Sequence, residues 1–231
     1  MSSMTDCGVC GSPLVYGADA VTRACDVCGE AQTTMIWCPA GHFVCDACHG
    51  ATAADGVRGL LAAATSPDPG AILERVMAYP GLPMHGPEHH AIVPGVIVAA
   101  ARNAGAAVPE GALESALARG AKVPGGWCGY YGACGAAVGV GIAVSVLSKA
   151  TPLKGTERSL ALGATSFALA PMVDDLPRCC KRASRLAVET AVEYLREHLD
   201  IDLPDGERAR CASSDRNAQC AGADCRFFAG R

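Results

Sequence analysis

The spacing of cysteines constrains this chain before anything else does. Seven of its fourteen cysteines fall within the first fifty residues, paired as Cys7/Cys10, Cys25/Cys28 and Cys45/Cys48, with Cys38 set four residues from His42. Two residues between thiolates let both sulfurs reach one tetrahedral ion, and Gly11 and Gly29, after the first two pairs, allow each turn to close. The segment has no long apolar run from which to build a core, so it is expected to fold only around metal. Eight ligands suit two closed zinc sites, paired either sequentially or in the interleaved order of a cross-brace. Residues 1–52 are therefore read as a small zinc-ribbon or treble-clef-like module. A structural staple is favoured over a nucleic-acid reader, because Arg23, Trp37 and Phe43 are almost the only basic and aromatic residues among the knuckles. Cys45-Asp-Ala-Cys48-His49 also fits the c-type haem attachment pattern, but that chemistry needs export; His49 is instead an alternative ligand to His42.

Half of the residues are hydrophobic and 18% are charged, as in a globular protein, and a net charge of −4 offers nucleic acid or an anionic membrane no general attraction. Met1 to Asp6 is polar with no signal-peptide pattern, so a reducing cytoplasm is expected, where spaced cysteines serve as ligands or reactive thiols. The apolar stretch from Cys134 to Leu147 is too short to span a bilayer, which takes about 20 residues. With Gly135, Gly139 and Gly141 it reads as a buried helix smooth on one side.

From Val57 to Leu199 the chain turns to Ala, Leu, Val and Gly in helical periodicity. Helices are predicted over 57–64, 71–79, 87–103, 109–119, 133–149, 156–170 and 177–199, giving a mostly α fold. Residues 53–202 form the helical domain and 203–231 an irregular cysteine-rich tail. Pro69, Pro87, Pro109 and Pro177 stand where helices should begin, and Asp68, Asp174 and Asp175 where caps or first-turn acids are wanted. Pro94 should kink or split the third helix. In the last helix Ala187, Ala191, Tyr194, Leu195 and His198 share one side, with Arg185, Glu189, Glu193 and Arg196 turned mostly to water.

Three segments depart from this plain background: Met84 to His90 (MHGPEHH), Gly125 to Gly135 (GGWCGYYGACG) and Pro177 to Arg182 (PRCCKR). Each opens a predicted helix, where free N–H groups favour an anion, including a thiolate. Cys179 and Cys180, beside Arg178, Lys181 and Arg182, should therefore ionise easily. Any one of these residues alone reads as a turn histidine or a small core cysteine. Together they read as one converging site. Cys128, Cys134 and His85 are candidate metal ligands, and Cys179 or Cys180 the nucleophile or open-site ligand. His89 is the candidate proton carrier with Glu88 as its carboxylate partner. Arg178, Lys181 and Arg182 would neutralise a small anionic or sulfur-containing substrate, and Gly126 and Gly129 would let the loop approach it. The loop lacks the Lys-Ser/Thr ending of a nucleotide-binding P-loop. In the tail, Cys211, Cys220 and Cys225 could hold zinc with a fourth ligand or an iron–sulfur cluster with one open iron, or could simply clasp the tail to the helices.

The same three segments, with the paired cysteines before them and the cysteine-ended tail after, resemble an uncharacterised cysteine-rich family, a domain of unknown function often found near or fused to radical-SAM enzymes. The resemblance implies an association with metal or sulfur chemistry and a radical-SAM partner protein. The chain itself lacks the Cys-x-x-x-Cys-x-x-Cys triplet of those enzymes. Two functions follow. One is an enzyme using zinc, an iron–sulfur cluster or a second metal for sulfur, thiol or redox chemistry. The other is a non-catalytic, zinc-stapled adaptor that delivers metal or substrate to another enzyme.

Overall fold

The computed structural model describes residues 7, 12–45, 48, 53–206 and 209–230. Among them the chain forms one two-stranded sheet and eight α-helices, so the protein is mostly helical. Cys10 and His49 lie outside the described residues.

Strand β1 (Val15–Ala24) pairs antiparallel with β2 (Ala31–Trp37), and the register slips between Tyr16 and Val21. Most of the hairpin's side chains are exposed, so the sheet buries little apolar surface of its own. Its connecting turn carries Cys25 and Cys28. A second turn, Cys38 to His42, follows β2 directly.

The helices are α1 (Ala53–Ala62), α2 (Pro69–Met77), α3 (Glu88–Asn103), α4 (Ala112–Gly120), α5 (Trp127–Tyr130), α6 (Gly135–Leu147), α7 (Gly155–Leu169) and α8 (Cys180–Leu199). Each of the seven helices predicted from periodicity is present; the single turn α5 lies inside the glycine-rich loop. Asp68 caps α2 by accepting from the N–H groups of Gly70 and Ala71, with Pro69 at the first helical position. Pro109 and Pro177, by contrast, stand three residues ahead of their helices. Gly111, in the left-handed region at φ 69°, caps α4, and Cys179 caps α8. Helix α3 runs through Pro94 without a break, so the expected split does not occur.

Helices α3 and α6 form the centre. The first packs on α1, α2, α4, α6 and α8, the second on α3, α4, α7 and α8. The glycines of α6 work on two faces, where one had been expected. Gly135 and Gly139 meet the His90 ring and the Val93–Pro94 side chains of α3, whereas Gly141 meets Thr165 and the Ala161 carbonyl of α7. A Cβ at Gly139 would come within 2.9 Å of Pro94, so the helices touch backbone to side chain. The core extends from these helices to Cys25, Val27 and Cys45, which joins the hairpin module to the bundle. No described helix is long and apolar enough to cross a membrane.

Helix α8 departs from its amphipathic reading at two positions: His198, expected on the apolar side, is exposed, and Arg185, expected in water, is buried. Arg185 is only 3% exposed. Its guanidinium makes two bonds to the Glu74 carboxylate of α2, at 2.6 and 2.7 Å, and lies 5.6 Å from the centre of the buried Phe227 ring. The tail and α2 cover the face that periodicity alone assigns to water.

Candidate functional site

In the hairpin module, knuckle geometry comes from local backbone bonds. Gly29 and Gly41 adopt left-handed conformations at φ 80° and 93°, closing turns that bond Gly29 N–H to Cys25 O and Gly41 N–H to Cys38 O. The N–H two residues on donates to sulfur in both: Val27 to Cys25 and Ala40 to Cys38, each at 3.4 Å. The four sulfurs of Cys25, Cys28, Cys45 and Cys48 lie within 4.8 Å of one another, with Cys28 and Cys45 3.8 Å apart. Cys7, Cys38 and His42 make a second such group, His42 Nδ1 standing 3.6 Å from the Cys38 sulfur and 3.9 Å from that of Cys7. The two groups alternate along the chain, so the interleaved pairing is the one the fold adopts.

Ionisation within the first group is uneven. Burial opposes the Cys25 thiolate, yet the N–H groups of Cys28, Cys45 and Val27 outweigh it and bring Cys25 down to about 7. Burial and then the neighbouring Cys45, Cys28 and Cys25 push Cys48 strongly up. Four thiolates this close need a cation to ionise together. This group can hold a metal ion such as zinc.

The second candidate site is a cavity of about 350 Å³ at one end of the bundle. The start of α3 supplies His89 and His90, the glycine loop Gly126, Cys128 and Gly129, the cap of α6 Cys134, and the α7–α8 connection with the start of α8 Asp174, Arg178, Cys179, Cys180 and Arg182. Cys128 is exposed on α5, beside Trp127, whose ring meets that of Tyr131 at 5.6 Å. Gly126 is held at φ 82°, whereas a side chain at Gly129 would meet open space. His89 is fully buried. Its Nδ1 lies 3.2 Å from Gly86 O, the geometry of an Nδ1–H donor, and Nε2 then carries the free lone pair with no hydrogen-bond partner. Burial, reinforced by Lys181, lowers its pKa to about 3, so the ring is neutral. His90 is oriented by the Val123 carbonyl at 2.9 Å and lies under Gly135.

The thiols are less acidic than helix-start placement implies. At Cys134 the N–H groups of Ala136 and Ala137 do favour the thiolate, but burial is the larger effect and raises its pKa. Burial raises Cys180 too, against the Gly86 N–H and Arg178, while Cys134 and Cys179 add to the increase. These two side chains are protonated thiols until a cation displaces the proton. No three ligand atoms of the cavity stand within 4.8 Å of one another, so it is not a closed site of the hairpin type.

Several candidates lie elsewhere. Glu88 faces a separate cavity bordered by Arg58, Leu117 and Ala121, and His89 bonds to a backbone carbonyl in its place. His85 accepts from the Cys180 N–H at 3.5 Å and contacts Asn217 Oδ1 at 3.1 Å, tying the tail to α8 outside the cavity wall. Lys181 points away; it is 2% exposed and donates to Met77 O at 2.9 Å. Burial and then Arg185 and Arg216 lower its pKa to about 8. Arg182 reaches the cavity but is engaged by Asp174 at 3.1 Å. Arg178 remains exposed at the rim, and no salt bridge joins it to an acidic side chain of the described residues. Arg185, which periodicity had placed in water, is the charged residue that sequence reasoning missed.

The tail cysteines Cys211, Cys220 and Cys225 border a small cavity of their own, of about 20 Å³, which also takes in Cys179.

A family model described as a family of unknown function (DUF5714) matches residues 57–228, the helices and the tail but not the hairpin module. No curated protein and no solved structure gives a match.

Proposed function

Because the chain belongs to this family of unknown function, with no reaction to inherit, we propose from its own residues that it is a metal–thiolate enzyme of sulfur, thiol or redox chemistry. In this reading the larger cavity is its active site and a small anionic molecule its substrate. One observation carries this: Cys128, Cys134, Cys179, Cys180 and the neutral, buried His89 come from three separate chain segments to line one cavity, in a bundle otherwise filled with alanine, valine and leucine. Cysteine with imidazole is a soft donor set, suited to zinc or to an iron–sulfur cluster. Cys134 and Cys180 supply the most enclosed thiols, and His89 serves as a further ligand or proton acceptor. Exposed Cys128 and the open side of Gly129 form the entrance, and Arg178 meets the substrate's charge. The hairpin module carries two zinc ions as a staple.

The companion reading, delivery of metal or substrate to a second enzyme, draws on exposed apolar groups flanking the cavity: Tyr130 at 87%, Tyr131 at 74% and Val173 at 87%. A radical-SAM protein, as the family resemblance implies, is the partner in that case.

Protein purified without oxygen tests the site. The expected result is metal beyond that of the hairpin module, with Cys134→Ser and Cys180→Ser each losing it and retaining the wild-type far-ultraviolet dichroism. Metal content unchanged in both variants would overturn the reading. Turnover of sulfur-containing anions by the isolated chain separates enzyme from delivery partner.

A further inference from the structure

We propose that Cys179, Cys211, Cys220 and Cys225 form a separate four-thiolate metal centre that fastens the tail to the start of α8. It stands whether or not the larger cavity is catalytic, and it reassigns Cys179 from nucleophile to ligand.

Four observations converge. First, the four cysteines border one cavity of about 20 Å³, close to the space of a single water or ion. Three come from the tail and the fourth is the cap of α8, so the helix supplies the ligand that the tail triplet lacks. Second, the turn at Cys220 repeats the hairpin knuckles. The Gly222 N–H donates to the Cys220 sulfur at 3.4 Å, as Val27 does to Cys25 and Ala40 to Cys38, and Gly222 takes the left-handed conformation at φ 58°. In the hairpin, that arrangement belongs to cysteines already gathered around a common point.

Third, further donors aim at these sulfurs. Cys179 receives the Arg182 N–H at 3.4 Å and the Asn217 amide at 3.8 Å, and Arg185 borders the same small cavity as Cys211. N–H donors of this kind stabilise thiolates and orient metal ligands. Fourth, the charge at this spot is unbalanced. Lys181 borders the cavity with 2% exposure, and no salt bridge joins it to a carboxylate of the described residues. Arg185 and Arg182 border it too, each already paired with one acid. A buried ammonium calls for a counter-charge. A divalent ion or a [4Fe–4S]²⁺ core held by four thiolates has a net charge of −2 and supplies it.

No three of these sulfurs lie within 4.8 Å of one another, whereas zinc at about 2.3 Å from each ligand sets them about 3.8 Å apart. Either the tail closes on an ion or the sulfurs span a polynuclear core. The vicinal pair is thereby divided: Cys180 belongs to the larger cavity alone, while Cys179 borders both.

The test uses the full chain expressed without oxygen with iron and zinc supplied, assayed for metal and acid-labile sulfide. Cys179→Ser, Cys211→Ser and Cys220→Ser should each lose one centre per chain, and Cys128→Ser should keep it. Loss of a zinc ion or of iron with matching sulfide both support the proposal and fix the metal. Wild-type metal content in Cys211→Ser and Cys220→Ser overturns it, as does a Cys179→Ser protein that retains a centre the other two have lost. Should the variants misfold, thiol alkylation of the native wild-type chain decides. These four residues should resist labelling until a chelator is added, and labelling at the same rate with and without chelator sinks the idea.

Discussion

The hairpin module and the helical bundle gather cysteines in opposite ways. In the module the ligands are near neighbours in sequence, and two-residue turns bring their sulfurs together with little help from packing. In the bundle, Cys128, Cys134 and Cys180 sit at helix starts that meet only because α3, α6 and α8 pack against one another. The module's clustered sulfurs can hold a metal ion, whereas the bundle's thiols are placed by the packing of its helices. Spacing therefore reveals a structural site far more readily than a reactive one, whose donors are scattered through the chain.

The largest expected effect comes from removing metal. Structural zinc is worth about 10 kcal/mol or more to a small domain with no core of its own. Chelation, or Cys25→Ser with Cys45→Ser, should open residues 12–45 to protease while 53–206 stays resistant, as mapped by mass spectrometry of the fragments. Simultaneous digestion of both regions would mean that the core contacts of Cys25, Val27 and Cys45 make them one cooperative unit.

A smaller effect tests whether the bundle has its own reserves. Arg185→Ala leaves Glu74 without its two charge-assisted bonds and strips one face of Phe227. Breaking a buried pair costs several kcal/mol, reduced here because the Glu74 side chain is 33% exposed, so a loss of about 3 kcal/mol is expected. Urea denaturation followed by helical dichroism measures it. The metal content of the hairpin module should not change, and a loss there would show that the two regions are coupled through the tail.

Which features could be read from the chain follows from the range of the forces involved. Helix periodicity and caps are local, so all seven long helices, the Asp68 cap and the burial of Ala187, Ala191 and Leu195 were legible. The alternation of the two hairpin groups was not, because ligand spacing is the same for either pairing. Arg185 was misread because periodicity reports one helix face at a time, whereas its burial depends on α2 and on Phe227 far along the chain. The thiols of Cys134 and Cys180 were misread in sign. Helix-start N–H groups are visible in a sequence, but the depth of burial that outweighs them is not. Cys179 lines the larger cavity with Cys128, Cys134 and Cys180, but its second cavity, shared with the tail cysteines, is not legible, since nothing in the spacing of the tail says where that cavity lies.

The smallest effect separates glycines that packing requires from those that leave room for a ligand. At Gly135 a methyl group would enter the His90 ring, which is itself fixed by Val123 O at 2.9 Å, so either α6 must move out or the ring must leave its bond. Overpacking of this kind costs about 1–3 kcal/mol. Gly135→Ala should therefore lower the urea midpoint and displace Cys134, reducing any metal held in the larger cavity. Gly129→Ala meets nothing within 4 Å and should change stability by less than about 0.5 kcal/mol. If the cavity is a site, the same Gly129 substitution should still weaken substrate or metal binding, because the methyl projects into the entrance. A variant stable, fully metallated and unaltered in binding would show that this loop is only a connection between helices.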